Sequence, residues 1–483
     1  MSFTIPQLIK NRIALSAISL SSLMFGLEIS SVPVILPTLE KLLHGSFKDM
    51  QWIMNAYTIA VTTVLMATGT LADRYGRRLL FIISVILFGI TSLICGLTAS
   101  TSVLIVARFL QGMSGGAMLI CQVSVLSQQF QDKRARGKAF SIWGIIFGIG
   151  LGFGPIIGGV IVAVSSWQWV FLVHVILAAI TLILILMGVT ESKNPAAGKV
   201  DRIGILTLSL AVFGLTYYIT QGPDLGFGSV KGFSILFASI ASFILFVYTE
   251  CRVAAPMFDF SVFRNTNFSG ALLGSMGMNF SYWAFMIYLP IYFQSVLGYD
   301  SVTAGFSLLA YTLPTLIFPP LGEWLSMRYK PGYAIPIGLF TIGLGFFFMY
   351  YGCSLEQPSW LSILPGAIIA GAGLGMTNTP VTNTTTAAVP VARSGMASGI
   401  DMSARMISLA LNIAIMGFLM VSGNAKSGTT ISAELTKPDL VSGFQLIILY
   451  AATSVSILAT ISLLIFKPWK KAVTCSHTSV PII

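Results

Sequence analysis

The sequence predicts an all-α integral membrane protein of about fourteen transmembrane helices, and three observations carry that reading. First, 55% of the 483 residues are hydrophobic and only 9% are charged, whereas a soluble domain carries roughly 25% charged residues. Mean hydropathy is +0.87, and a chain so composed has too little polar surface to face water at this size. Second, the apolar residues gather in runs of about 20, the length that crosses a bilayer as a helix. Third, Lys and Arg sit in short segments between those runs and favour one side of the membrane.

The runs fall at 13–36, 51–71, 79–98, 103–127, 138–164 and 168–190, then at 203–221 and 232–250. Six more follow at 268–294, 302–326, 333–351, 360–386, 394–421 and 441–466. The first run comes after Lys10 and Arg12 and superficially resembles a signal peptide. It is longer than an apolar signal core of about 7–15 residues and no small-residue cleavage site closes it, so it reads as a retained span.

The polar stretch 191–202, with Pro195 and Gly198, reads as a linker, and a second charged connection runs from Glu250 to Asn267. The predicted organisation is therefore a six-helix bundle over 1–190, a linker with two extra helices over 191–265, a second six-helix bundle over 266–470 and a cytoplasmic tail over 471–483. An internal echo supports the division. The stretch GEWLSMRYK (Gly322 to Lys330) follows the second helix of the later six, as GTLADRYGR does in the first six. Duplicated bundles are a common transporter plan. The echo lacks an Asp at the equivalent place, which predicts an asymmetric pair with the better-formed copy in the first half.

Orientation follows from the basic residues. With the turn Gly69–Leu80 (GTLADRYGRRLL) assigned to the cytoplasm, only Lys41, Lys48, Lys231, Lys426 and Lys437 of the 27 Lys and Arg residues fall outside, and Arg108 and Arg405 fall within spans. Both termini are then predicted to be cytoplasmic. The same distribution argues against nucleic acid as a partner, because the net charge of +11 is spread over many short loops. The five Cys (Cys95, Cys121, Cys251, Cys353 and Cys475) and three His (His44, His174 and His477) show no metal-ligand spacing. No GxxxxGK[ST] phosphate loop and no plausible catalytic triad appear. No metal, cofactor or enzymatic activity is expected.

Ionisable residues inside a membrane are costly and usually functional. Glu28 lies about 12 Å from the outer end of its span and Arg108 about 8 Å from the outer end of its own, at about 1.5 Å per residue. The two approach each other if the first and fourth helices are neighbours. Glu28 then either binds and releases a coupling proton or holds a static pair with a buried Arg. Asp401 and Arg405, four apart, share a helix face; they either neutralise each other or make Asp401 a second titrating site. His174 reads as a structural hydrogen-bonding residue rather than a proton carrier, since a lone His has no evident partner. Gly150, Gly154 and Gly158 lie on one face of the fifth span, where small residues let helix backbones approach, and Pro155 permits a bend. The polar run Thr377 to Thr386 either lines an aqueous path or binds helices together. Phe25, Met54, Tyr57, Gln111, Tyr282, Trp283, Met286, Tyr311 and Asn378 are candidates for an adaptable substrate cavity.

GTLADRYGRRLL, ArgPheLeuGlnGly (108–112) and GlyPheGlyProIleIleGlyGly (152–159) resemble the three signature motifs of the major facilitator superfamily. The third resembles its antiporter branches. LeuGluIleSerSerValPro, GlnTrpIleMetAsnAlaTyr and TrpGlnTrpValPheLeuValHisVal resemble the fourteen-span drug:proton antiporter family, as do stretches within Pro290–Gly305 and Gly371–Gly399. The resemblance implies an alternating-access carrier in a bacterial cytoplasmic membrane, functional as a monomer, that exchanges small amphiphilic or drug-like compounds for protons. It also implies that Asp73, Arg74, Gly76 and Arg77 latch the cytoplasmic ends of the halves, and that Arg108 takes part in proton coupling. Gly154, Pro155, Gly158 and Gly159 would shape the interface between the halves. Glu28 stands where the family usually has Asp, Gln168 where it has Arg, His174 where it has Asn, and Asp401 where Asn is common. Two other readings stand beside this one: a dedicated carrier of one metabolite (siderophore, amino acid or peptide), and a non-transporting sensor or scaffold.

Overall fold

In a bilayer a backbone must satisfy its own hydrogen bonds, which leaves helices as the solution for apolar runs of this length. The protein follows that rule in a computed structural model describing residues 6–43, 47–193, 201–226, 228–252, 260–299, 301–355, 359–422 and 437–469. The predicted tail 471–483 and Pro195 and Gly198 of the predicted linker lie outside the described residues. The first six spans are α1 (Gln7–Leu42), α2 (Phe47–Tyr75), α3 (Arg77–Leu97), α4 (Thr101–Gln129), α5 (Lys133–Val164) and α6 (Gln168–Gly188). The insert is α7 (Arg202–Leu225) and α8 (Val230–Glu250). Local chemistry sets several starts: Asp132, Asp201 and Ser229 accept first-turn N–H groups of α5, α7 and α8.

Thirteen segments among the described residues are long and apolar enough to cross a membrane. The ninth predicted span, 268–294, departs from expectation. It is two helices, α9 (Thr266–Asn279) and α10 (Phe285–Ser295). The break at 280–284 contains neither Gly nor Pro, and its freed carbonyls are taken by side chains from elsewhere. Asn412 Nδ2 donates to Asn279 O at 2.9 Å, and Ser454 Oγ donates to Phe280 O at 3.2 Å. The tenth span is also segmented, into α11 (Ser301–Thr312), α12 (Pro314–Ile317) and α13 (Pro319–Tyr329). Here the cause is local, since Pro314 and Pro319 have no N–H to donate. The two breaks are tied together. Tyr282 and Tyr311 stack with ring centroids 4.0 Å apart, and each hydroxyl donates to the other residue's carbonyl, at 2.6 and 2.8 Å. The chain closes with α14 (Pro331–Cys353), α15 (Trp360–Ala387), α16 (Ser394–Ser422) and α17 (Lys437–Phe466).

Helices α1–α6 pack as one bundle around Phe81, Phe88 and Phe140, and α9–α17 as another around Tyr292, Phe346 and Phe444. The pair α7–α8 stands outside both, with α7 against α2 of the first bundle and α16 of the second. The insert turns Phe233, Phe237, Phe243 and Ile244 outward, an apolar face suited to lipid.

Candidate functional site

Arg108 on α4 and Glu28 on α1 are both fully buried and form an ion pair through Arg108 Nη1 and Glu28 Oε1. Arg108 Nη1 also donates to Gln111 Oε1 at 2.7 Å, and its Nε donates to Ile53 O at 3.2 Å. Gln111 in turn donates to Ser92 Oγ at 2.8 Å. The Tyr57 ring lies under the guanidinium, 4.3 Å from its centroid. His174 has a partner after all: its Nδ1 lies 3.5 Å from Glu28 Oε2. These side chains come from α1, α2, α3, α4 and α6, so the site is enclosed within the first bundle. A buried charge pair of this kind is held by its geometry, because removing one partner strands the other in low dielectric.

A second group of residues joins the bundles at the end that carries Gly69–Leu80. Gly69 and Gly395 meet backbone to backbone; a Cβ on either falls on the other's carbonyl oxygen. The Asp73 carboxylate sits on the N-terminus of α16, accepting from Gly395 N and Met396 N at 3.0 Å each, where helix-end N–H groups favour an anion. Arg77 holds that carboxylate from behind, with Nη2 2.6 Å from Asp73 Oδ1, and the same Nη2 donates to Val391 O at 2.6 Å. Gly76 has φ +124°, and Glu191 caps α3 beside it by accepting from Arg78 N and Leu79 N. A Cβ on Gly76 would meet the Glu191 carboxylate. Arg74 stays out of this junction, its guanidinium over the neighbouring Tyr75 ring.

The echoed loop is better equipped than the missing Asp suggested. Glu323, directly after Gly322, is buried and accepts from Asn383 Nδ2 at 3.2 Å. Asn383 Oδ1 accepts from Arg136 Nε of α5 at 2.9 Å, and Arg136 Nη2 donates to Thr386 Oγ1 at 2.6 Å. This guanidinium–amide–carboxylate chain links the bundles across the opposite seam. Glu323 stands three residues before the place equivalent to Asp73. The Thr377–Thr386 run serves here as interhelical hydrogen bonding: Thr382 Oγ1 accepts from Arg405 Nη2 at 2.7 Å, and Asn383 and Thr386 hold Arg136.

Between the bundles lies a narrow slot. One wall is α5, with Phe147; the other is built from the broken spans and α15. Of the predicted cavity residues, Tyr282, Trp283, Met286 and Asn378 line it. The others do not. Phe25, Tyr57 and Gln111 belong to the interior of the first bundle, Met54 packs against the Val32, Ile35 and Ile53 cluster, and Tyr311 lies behind Tyr282. Phe147, Thr312 and Thr315 were missed because their partners lie in the other bundle. Asp401 is remote from the slot's wall but coupled to it: it accepts from Ser275 and pairs with Arg405 at 3.2 Å, and Arg405 Nη1 donates to Asn378 Oδ1.

The glycine stripe needs a correction. Gly150, Gly154 and Gly158 face Leu23, Ser30 and Ser31 of α1 inside the first bundle, and Gly159 meets nothing within 4 Å. Glycines with the same spacing but a different phase, Gly144, Gly148 and Gly152, face Thr379, Leu316 and Thr312 across the slot. The interface between the bundles is therefore formed by the second stripe. Pro155 lies inside α5, next to the first.

A family model described as Major Facilitator Superfamily matches residues 18–413. The chain belongs to the Major Facilitator Superfamily. Among the relatives of this major facilitator is the multidrug resistance protein Stp of Mycobacterium tuberculosis, 31% identical over 410 residues, which cover 85% of this chain and 76% of Stp. The tetracenomycin C resistance and export protein of Streptomyces glaucescens is 29% identical, with 84% of this chain and 76% of the relative covered. The quinolone resistance protein NorB of Staphylococcus aureus is 28% identical over 91% of this chain and 96% of its own. The fold is also that of the human organic anion transporter MFSD10, with TM-score 0.63 and 14% identity over 94% of this chain and 99% of that one. Members of the superfamily carry small molecules across membranes, and this one is a multi-pass membrane protein.

Proposed function

We propose that this major facilitator exports small amphiphilic, drug-like compounds across a bacterial cytoplasmic membrane in exchange for protons, acting as a monomer by alternating access. The observation that carries the reading is a slot between two bundles whose joining hydrogen bonds, among the described residues, gather at one end. Likeness over most of the chain to Stp, the tetracenomycin C exporter and NorB supports drug-like cargo. The excess of Lys and Arg supports placing the joined end, and both termini, in the cytoplasm. The domains are the two bundles 1–190 and 266–470 with the insert 191–265 between them.

In this cycle Glu28 takes a proton from outside, which weakens its pairing with Arg108 and favours return to the inward-facing state. Release of that proton to the cytoplasm restores the pair and readies the slot for cargo. Asp73 with Arg77, and Glu323 with Asn383 and Arg136, latch the two cytoplasmic seams and part once per cycle. Efflux of a fluorescent compound from inverted vesicles tests the coupling. A protonophore is expected to abolish accumulation, and accumulation that ignores the protonophore would rule proton exchange out. Glu28→Gln is expected to insert normally yet lose gradient-driven export.

A further inference from the structure

The surroundings of His174 are unusual for a structural imidazole. The side chain is 1% exposed. Its Nδ1 faces Val170 O at 3.0 Å and Glu28 Oε2 at 3.5 Å, and its Nε2 faces Met24 O at 3.2 Å. All three are oxygens that accept. A neutral imidazole has one N–H and one lone pair, so it must set that lone pair against an oxygen on one side or the other. Only the imidazolium satisfies both nitrogens. Glu28 Oε2 is buried, makes no hydrogen bond and lies 3.5 Å from Nδ1, so it is a further acceptor within reach of an N–H there, beside the equally unpartnered Arg108 Nη2.

We infer that His174 is a second proton-carrying group of the coupling site, sharing the Glu28 carboxylate with Arg108. The inference rests on the proposed exchange of protons for cargo and deepens it. The charged and titratable neighbours are few. Facing His174, α1 contributes Glu28, and α3 contributes the Phe88 ring, 5.8 Å away edge to face, and Cys95, whose Sγ contacts Gln111. Helix α5 has ionisable residues only at its far end, Lys133 to Lys138. One layer beyond, α4 and α2 supply Arg108 and Tyr57.

The proton on His174 also has a mechanical effect. It bonds α6 to Met24 and Glu28 of α1, the helix that packs along α5, and the opposite face of α5 lines the slot. When the proton leaves, a lone pair faces a carbonyl at the α1–α6 contact, and α1 is freed to shift against its neighbours. Protons on Glu28 and His174 thus act on the same helix, one by weakening the pair with Arg108 and the other by strengthening the contact with α6.

The chain has only three histidines, so His44→Asn with His477→Asn leaves His174 as the single imidazole. Nitrogen NMR of that variant in lipid nanodiscs, selectively labelled at histidine, reads its protonation directly. The expected result is a ring whose protonation changes with pH or when transported compound binds. A single neutral tautomer from about pH 5 to about pH 8, the range in which histidine ordinarily titrates, with and without compound, would overturn the inference. In vesicles, His174→Gln is expected to lose about tenfold in gradient-driven accumulation, a difference of about 1.4 kcal/mol. It is also expected to flatten the pH profile of that accumulation. An unchanged pH profile and accumulation would count against the role. Titration of His174 without any gradient-driven flux would sink the transport reading, whereas flux with a His174 that never changes protonation would sink this inference alone.

Discussion

At the scale of single residues, Arg108 is held from several sides. Its guanidinium is fully buried and meets Glu28, Gln111, the Ile53 carbonyl and the Tyr57 ring. Arg108→Ala leaves the buried Glu28 without its counter-charge, and a loss of about 3–5 kcal/mol in stability is expected, measurable as a lowered unfolding temperature in detergent. Arg108→Ala combined with Glu28→Gln is expected to recover part of that loss without recovering gradient-driven transport. Glu28 and Arg108 were legible in the sequence because an ionisable residue in an apolar run stands out. His174 was not, because a histidine announces neither its tautomer nor its partner, and both of its nitrogens are met by atoms brought in by the fold.

At the scale of elements, α5 carries two glycine stripes that differ only in phase. The sequence displays the small residues plainly, but spacing alone does not say which neighbour each face meets, and the stripe that matches the family motif turned out to face α1. The two stripes should respond differently to one added methyl. A Cβ at Gly150 meets backbone atoms of α1 at Leu23 and Leu27, which have nowhere to go, whereas at Gly148 it meets only the end of the Leu316 side chain. Gly150→Ala is expected to destabilise the first bundle by about 1–3 kcal/mol. Gly148→Ala is expected to leave the unfolding temperature unchanged and to slow transport, a contrast that paired thermal unfolding and efflux measurements resolve. The interruption at 280–284 was invisible for the opposite reason. Nothing in Phe280–Ala284 breaks a helix locally; Asn412, Ser454 and Tyr311 make the break tolerable by taking up the carbonyls it frees.

At the scale of the whole molecule, composition and run length make the membrane class and most of the spans readable, while the seams between bundles depend on contacts hundreds of residues apart in sequence. Asp73 was found through its motif; Glu323, Asn383 and Arg136 required the fold. If both seams are latches, Asp73→Asn and Glu323→Ala should each raise the fraction of molecules open at the Gly69–Leu80 end, and the double variant should raise it further. Spin-label distances across α2–α16 and α5–α13 measure this, and distances unaltered by Glu323→Ala would remove the second latch.

The slot between the bundles has one more consequence. Among the described residues its lining contains no Asp, Glu, Lys, Arg or His; Arg405, which donates to Asn378 of the lining, is paired with Asp401. If cargo binds in this slot as proposed, a compound with a fixed positive charge finds no counter-charge there and pays the full cost of desolvation, which favours electrically neutral cargo. Thr312→Asp, which sets a carboxylate opposite Gly152, is expected to raise uptake of a quaternary ammonium compound relative to its neutral analogue. If the proposed exchange holds and the cargo is neutral, each inward proton moves net charge across the membrane. The transmembrane voltage then drives export alongside the pH difference, adding about 2.3 kcal/mol per proton per 100 mV. Collapsing the voltage with a potassium ionophore at fixed pH difference should slow efflux even though no proton gradient has been lost.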